Sequence, residues 1–207
     1  MTCWVIICYY SIMARWDPGT EGRLTQAALE LYMELGYDNV TVAQIAERAG
    51  ITSRSYFRYF PDKREVLFAG SERLPAAVHD AVLTGRQGTS PLSSTLEALA
   101  HLGTTLVEHL DRAAERRSLI ASHPELQERE RTKLAAVTSA IHDALLQRGV
   151  DDDSAKLVAQ IATIAFQHAF DRWTDARGKK GFAACLIAVA ASLRDTLSAD
   201  IDNHSPE

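Results

Sequence analysis

The sequence predicts an all-α protein of about nine helices, with an N-terminal three-helix helix-turn-helix unit followed by a helical C-terminal region. Three observations carry that prediction. Apolar residues recur at spacings of three and four through most of the chain, alternating strand-like runs are nearly absent, and Gly, Pro, Ser, Thr and Asp fall where helices would start and stop. With 207 residues, 46% of them hydrophobic and 24% charged, the chain can bury one sizeable core or two small ones, which excludes a disordered polypeptide. No GxGxxG motif, GxxxxGKS/T loop or internal repeat points to a nucleotide fold or a solenoid.

Asp17 and Pro18 read as an N-cap and first-turn proline, and Leu24, Ala27, Ala28, Leu31, Tyr32 and Leu35 form the apolar stripe of a first helix ended by Gly36. Thr41 and Gln44 then form a capping box, so a second helix begins near Val42, with Val42, Ile45, Ala46 and Ala49 inward. Gly50 supplies the left-handed residue that stops it. Ile51 inserts at the turn, and Thr52 or Ser53 caps a third helix through Ser55, Tyr56, Phe57, Tyr59 and Phe60. Tyr56 and Phe60, four residues apart, are expected in the core with Ile51, and Arg48 suits a solvated face.

Ser53, Arg54, Ser55, Phe57, Arg58 and Tyr59 mix hydroxyls, guanidiniums and aromatics in a way that suits a DNA major groove. The chain carries a net charge of −5, yet Arg48 to Arg64 holds five basic residues against the single acid Asp62. Phosphate binding follows the field at the contacting face, so this local reversal outweighs the acidic total.

Leu24 to Leu67 resembles the DNA-binding domain of TetR family transcriptional regulators, through Gly36-Tyr37, Thr41, Ile45-Ala46, Ala49-Gly50-Ile51, Tyr59-Phe60 and Lys63. The resemblance implies that Thr41 and Lys63 grip phosphates, while Thr52, Ser53, Arg54, Ser55, Phe57, Arg58 and Tyr59 lie on or beside the recognition helix. Many members carry Gly where Arg54 stands and Tyr where Phe57 stands, so a phenolic phosphate contact is missing here. It also implies three segments: an arm over residues 1–16, the helix-turn-helix domain over 17–65, and a ligand-binding and dimerisation domain over 66–207.

A fourth helix is expected after Pro61 and the Asp62 to Glu65 capping pattern, reaching the loop at Thr84 to Ser90. A fifth follows Pro91 with Leu92, Leu96, Leu99, Leu106 and Leu110 on one face, a short sixth covers Ala114 to Ser122, and a seventh runs from Pro124 toward Gln147, with Gly149 ending it. Leu157, Ile161, Ile164, Ala165, Phe166, Phe170 and Trp173 surround much of helix eight, and Gly181 to Leu193 contains no charge. Helices apolar on several sides must be covered on several sides, as core helices of a monomer or at an interface, and with the resemblance favouring dimerisation the last two are assigned to a homodimer interface. The uncharged run is too short to span a bilayer, and no membrane association is expected.

The run from Arg116 to Arg129, with Ala169 to Trp173, resembles a TetR branch that includes the mycofactocin regulator and responds to acyl-CoA-type ligands. Leu102, Leu106, Leu119, Phe166, Phe170 and Trp173 are the candidate walls of a pocket for a hydrophobic effector, against the plainer reading that each fills the core.

Residues 1 to 14 carry no charge and lack a basic leader or cleavage signal, and translation from Met13 is the expectation for this segment. Cys3, Cys8 and Cys185 offer neither a paired framework nor metal spacing, which fits a reducing cytoplasm. The histidines form no HExxH motif, and His101 and His109 read as core or pocket edges; Asp151 to Asp153 read as a helix cap. No cofactor is expected. The reading is a cytoplasmic regulator of a double-stranded DNA operator, released by a small-molecule, acyl-CoA-like effector. The alternatives are an effector-independent DNA-binding protein and a small helical enzyme, the latter without nucleophile, metal set or cofactor loop to support it.

Overall fold

The computed structural model describes residues 18–202, apart from 109, 111 and 178. Among the described residues there are nine α-helices and no strand. The expectations for residues 1–16, for Met13, Cys3, Cys8 and Asp17, and for His109 lie outside the described residues. The chain divides into two compact units between Ala69 and Gly70.

In the first unit, α1 (Pro18–Leu35) turns Leu24, Ala27, Ala28, Leu31 and Tyr32 into the core, whereas Leu35 is exposed. Gly36 takes a φ of 81°, available to Gly at little cost, and starts a 3-10 turn at Tyr37–Asn39. Thr41 caps α2 (Val42–Arg48) with both arms of the capping box formed, and Ile45 and Ala46 are buried. Gly50 (φ 74°) ends that helix, with its amide donating to Glu47 O and the Ile51 amide to Ala46 O, the paired bonds of a Schellman stop. Thr52 caps α3, which spans only Ser53–Tyr56.

The expected third helix is therefore shorter than its residues suggest. Arg58 donates to Ser55 O and Tyr59 to Tyr56 O, tightening the chain into a turn before Pro61, whose ring disfavours helical backbone at Phe60. The continuous fourth helix is also corrected. Asp62 does accept from the amides of Arg64 and Glu65, but the chain then forms only a four-residue 3-10 turn, Glu65–Phe68, before Gly70 at φ 76°. The Glu65–Phe68 side chains are buried, and this turn packs on α1.

The second unit holds α4 (Leu74–Leu83), α5 (Pro91–Val107), α6 (Ala113–Ser122), α7 (Pro124–Gln147), α8 (Asp152–Asp175) and α9 (Phe182–Asp202). Helix α4 packs on α7 and α5, α8 lies between α7 and α9, and α5 closes against α9. Ser90 caps α5 through the Ser93 amide, Asp151 caps α8 through the Ser154 amide, and Gly149 (φ 82°) ends α7. The face that α8 buries is small-sided: Ala155, Ala159, Ala162, Ala165 and Ala169. Its larger residues Leu157 and Ile164 stay 59% and 54% exposed, and Ile187 of α9 is 67% exposed. No helix among the described residues is long and apolar enough to cross a membrane.

Candidate nucleic-acid interface and effector unit

Of the basic residues between Arg48 and Arg64, the structure commits three internally. Arg48 makes a bidentate pair with Glu34 at 3.1 and 2.9 Å, which holds the Glu34 carboxyl below its usual range. Arg64 pairs with Asp62 at 2.6 Å. Lys63, expected to grip phosphate, instead directs its ammonium onto the carbonyl oxygens of Tyr37 (2.9 Å), Val40 (3.1 Å) and Asp38 (3.4 Å). It also sits 4.4 Å from the Tyr37 ring centre. An ammonium has three donors, and three carbonyls take them. The Lys63 carbonyl in turn accepts from the Tyr32 hydroxyl of α1 at 2.6 Å, so its backbone is tied to α1 while its ammonium fastens the segment that leads into Thr41. This geometry makes Lys63 a clamp on the entry to α2.

Arg54 and Arg58 are different. Both are exposed, and neither makes a side-chain hydrogen bond or ion pair among the described residues. Phe57 is 56% exposed, with its ring edge-on to Tyr56 at 5.7 Å and 83°. Arg54, Phe57 and Arg58 are spaced three and four apart along a helical turn, so they share one side of it. Behind them, Tyr56 and Phe60 are buried in contact at 5.7 Å, and the Tyr56 hydroxyl donates to Asp62 O at 3.0 Å. Burial raises the Tyr56 hydroxyl well above the ordinary phenol range, so it stays a donor.

The hydroxyls divide by task. Thr41 accepts from the Gln44 amide and donates to Gln44 Oε1 at 2.9 Å, and Thr52 accepts from the Ser55 amide and shares a 3.0 Å bond with the Ser55 hydroxyl. Ser53 has no side-chain partner among the described residues, and Tyr59 is half-buried. The predicted readers are thus brought onto one short capped turn, with Arg54 and Arg58 carrying its uncommitted charge.

In the second unit, the six candidate ligand residues are packed. Leu119 is buried, and Leu102, Phe166, Phe170 and Trp173 lie half-buried against the core, with Leu106 half-buried on α5. Phe170 meets Trp173 at 5.6 Å, and Phe166 meets Phe182 of α9 at 5.0 Å. Phe182 fills a notch at Gly103, where an added Cβ would lie 2.2 Å from its ring. Two cavities of about 440 and 450 Å³ are lined by other residues, one by Thr138, His142 and Lys156 between α7 and α8, the other by Gln87, Pro91 and Arg148 beside the α4–α5 loop. Among the expected pocket walls, Phe166 thus packs on Phe182, which occupies the space that Gly103 leaves, and Phe170 packs on Trp173.

Sequence reasoning missed Gly103, Phe182 and a guanidinium staple. Arg148 donates to Val82 O (2.9 Å), Arg86 O (3.0 Å) and the Ser94 hydroxyl (3.1 Å), tying the end of α4 and the start of α5 to α7. A separate charged cluster joins α6 to α8, where Arg117 pairs with Asp171 at 2.9 Å and Asp175 at 2.7 Å. Burial lowers the neighbouring Arg116 guanidinium and raises the Glu130 carboxyl.

Residues 24–69 match the model of bacterial regulatory proteins of the tetR family, and residues 89–198 match that of the MftR C-terminal domain. The chain is similar to the HTH-type transcriptional regulator TcmR of Streptomyces glaucescens, 35% identical over 75 residues, which is 36% of this chain and 33% of TcmR. It is similar to BetI of Escherichia coli O45:K1 (strain S88 / ExPEC), 35% identical over 81 residues, 39% of this chain and 42% of BetI. The chain thus matches less than half the length of these curated relatives. Its fold is like that of NalD, the secondary repressor of the MexAB-OprM multidrug efflux pump in Pseudomonas aeruginosa, with a TM-score of 0.58 at 14% identity, covering 85% of this chain and 95% of NalD. FadR of Bacillus subtilis, solved with stearoyl-CoA, gives a TM-score of 0.51 at 18% identity, over 81% and 94% of the two chains.

Proposed function

The chain belongs to the TetR family of bacterial regulatory proteins, and from that premise we propose that it is a cytoplasmic transcriptional repressor that binds a palindromic operator as a homodimer. The observation that carries this reading is the pair of exposed, uncommitted guanidiniums, Arg54 and Arg58, on a turn anchored from behind by Tyr56 and Phe60. Arg54 suits bidentate pairing with a guanine edge, Ser53, Thr52, Ser55 and Tyr59 lie on the same turn with groups that can donate to phosphate, and Thr41 is the proposed phosphate contact at the start of α2. Lys63 serves the same interface by fixing where α2 starts.

The exposed apolar residues Leu157, Ile164 and Ile187 supply the surface through which α8 and α9 of two copies pair. A symmetric dimer presents two recognition turns about 34 Å apart, one turn of B-DNA, which is what a palindrome requires. An acyl-CoA-like effector is the proposed releasing ligand, entering at Leu102, Leu106, Leu119, Phe166, Phe170 and Trp173. It releases DNA by binding one separation of the recognition turns better than the other. The packing of Phe166 on Phe182, with Phe182 seated in the notch at Gly103, favours a second reading, an operator-binding protein that needs no effector.

Selection of genomic fragments by the purified full-length protein at physiological salt tests the first claim, and addition of long-chain acyl-CoA to the best fragment complex tests the second. Sequence-selective binding lost on adding acyl-CoA supports the repressor reading. Selective binding unmoved by acyl-CoA favours the effector-independent protein, and absence of selectivity overturns both.

A further inference from the structure

We infer that Phe57 is a specificity-determining residue that reads the C5-methyl group of a thymine in the major groove, an inference that rests on the operator-binding role proposed above. Three features of the structure converge on it. The ring is 56% exposed although phenylalanine is among the residues most often buried, and it stands at the C-terminal end of α3. It is also held in place: its edge-on contact at 5.7 Å and 83° is with Tyr56, which is fully buried and bonded through its hydroxyl to Asp62 O. Finally, Arg54 and Arg58 flank it with guanidiniums that have no partner among the described residues.

A phenyl ring carries no hydrogen-bonding atom, so it cannot take a phosphate oxygen or a polar base edge. Two guanidiniums on the same side draw that side against DNA, and the ring is then carried to the groove with them. Among the groups that base pairs display on the major-groove floor, the thymine methyl is the apolar one. Contact with it removes water from both partners, whereas cytosine presents only a C5 hydrogen at that place and so lacks the methyl carbon the ring would cover. The edge-on contact with Tyr56 limits how much rotamer freedom is lost at the moment of contact.

The test uses full-length protein and a duplex selected from a random pool at physiological salt. Each thymine is replaced singly by deoxyuridine, which removes only the methyl, and binding is measured for wild type, Phe57→Ala and Phe57→Leu. One replacement per half-site should weaken wild-type binding about fourfold, the value of one buried carbon. Phe57→Ala should lose that sensitivity at the same base pair, and Phe57→Leu, which keeps an apolar side chain, should retain most of it. Wild-type binding indifferent to every replacement overturns the inference, as does Phe57→Ala binding that is uniformly weaker yet still methyl-sensitive, the mark of a ring lying on the sugar-phosphate wall. Failure to select any duplex overturns the operator reading itself.

Discussion

The Lys63 ammonium stands 2.9 Å from the Tyr37 carbonyl oxygen and 4.4 Å from the centre of the same residue's ring. One side chain thereby closes the 3-10 turn between α1 and α2 from both its backbone and its aromatic face. Replacing it by Met should weaken operator binding without changing how binding responds to salt. A residue that touches phosphate would lower the slope of log K against log salt by about one when removed. A slope reduced by that amount in Lys63→Met, measured from about 50 to 200 mM salt, would restore a direct phosphate role.

Arg54 and Arg58 carry the free positive charge of the turn, so their removal should be felt directly. Arg54→Ala should cost ~1 to 3 kcal/mol of binding and relax preference at a single base position. Comparing selected-site profiles of wild type and variant checks this, since a loss spread evenly over all positions would make Arg54 a phosphate contact.

The notch at Gly103 predicts an asymmetry in the second unit. Gly103→Ala forces the Phe182 ring to move and should cost about 1 to 3 kcal/mol, while Phe182→Ala empties the notch and should cost about 3 to 5 kcal/mol. The double variant should lose less than the sum, because the new methyl then occupies vacated space. Urea denaturation of the three proteins decides it, and strict additivity would separate the two residues.

Asp62 sets an acid limit. Partial burial pulls its carboxyl upward, but the Arg64 side chain and the amides of Arg64 and Glu65 outweigh that and hold it below the ordinary value. The folded value lies beneath the unfolded one, so its stabilisation is present at neutral pH and is lost as pH falls below about 4. Between pH 7 and pH 3, Asp62→Asn should therefore lose less stability than wild type; equal losses would place the acid sensitivity elsewhere.

Leu157, Ile164 and Ile187 face outward from the second unit. Ile164→Glu should convert a dimer to a monomer in sedimentation analysis and weaken operator binding, while leaving helical content intact. A dimer that persists would move the interface away from α8.

Local features were the legible ones. The Thr41–Gln44 box, the Gly50 stop, the Thr52 cap and the buried Tyr56 and Phe60 each depend on neighbours within a few residues, so their spacing in the chain already encodes them. The Lys63 clamp was not legible, because its carbonyl partners lie more than twenty residues earlier in the chain. Periodicity showed that α8 has apolar faces but could not say which one turns inward, and close packing chose the alanines over Leu157 and Ile164. The break before α4 did leave a signal, since Pro75 in its first turn marks a helix start and Gly70 precedes it. The seat of Phe182 at Gly103 was not legible for a different reason: the two residues lie far apart in the chain, and only the packed structure brings the ring to the glycine.

The alanine face of α8 has a mechanical consequence. Alanine has no side-chain rotamers to reorganise, so α8 buries Ala155, Ala159, Ala162, Ala165 and Ala169 without loss of side-chain entropy, while the Thr138–Thr163 bond at 2.9 Å ties it to α7 and the Phe166–Phe182 contact ties it to α9. Such a seam lets the backbones come close and leaves their register to those two side-chain contacts.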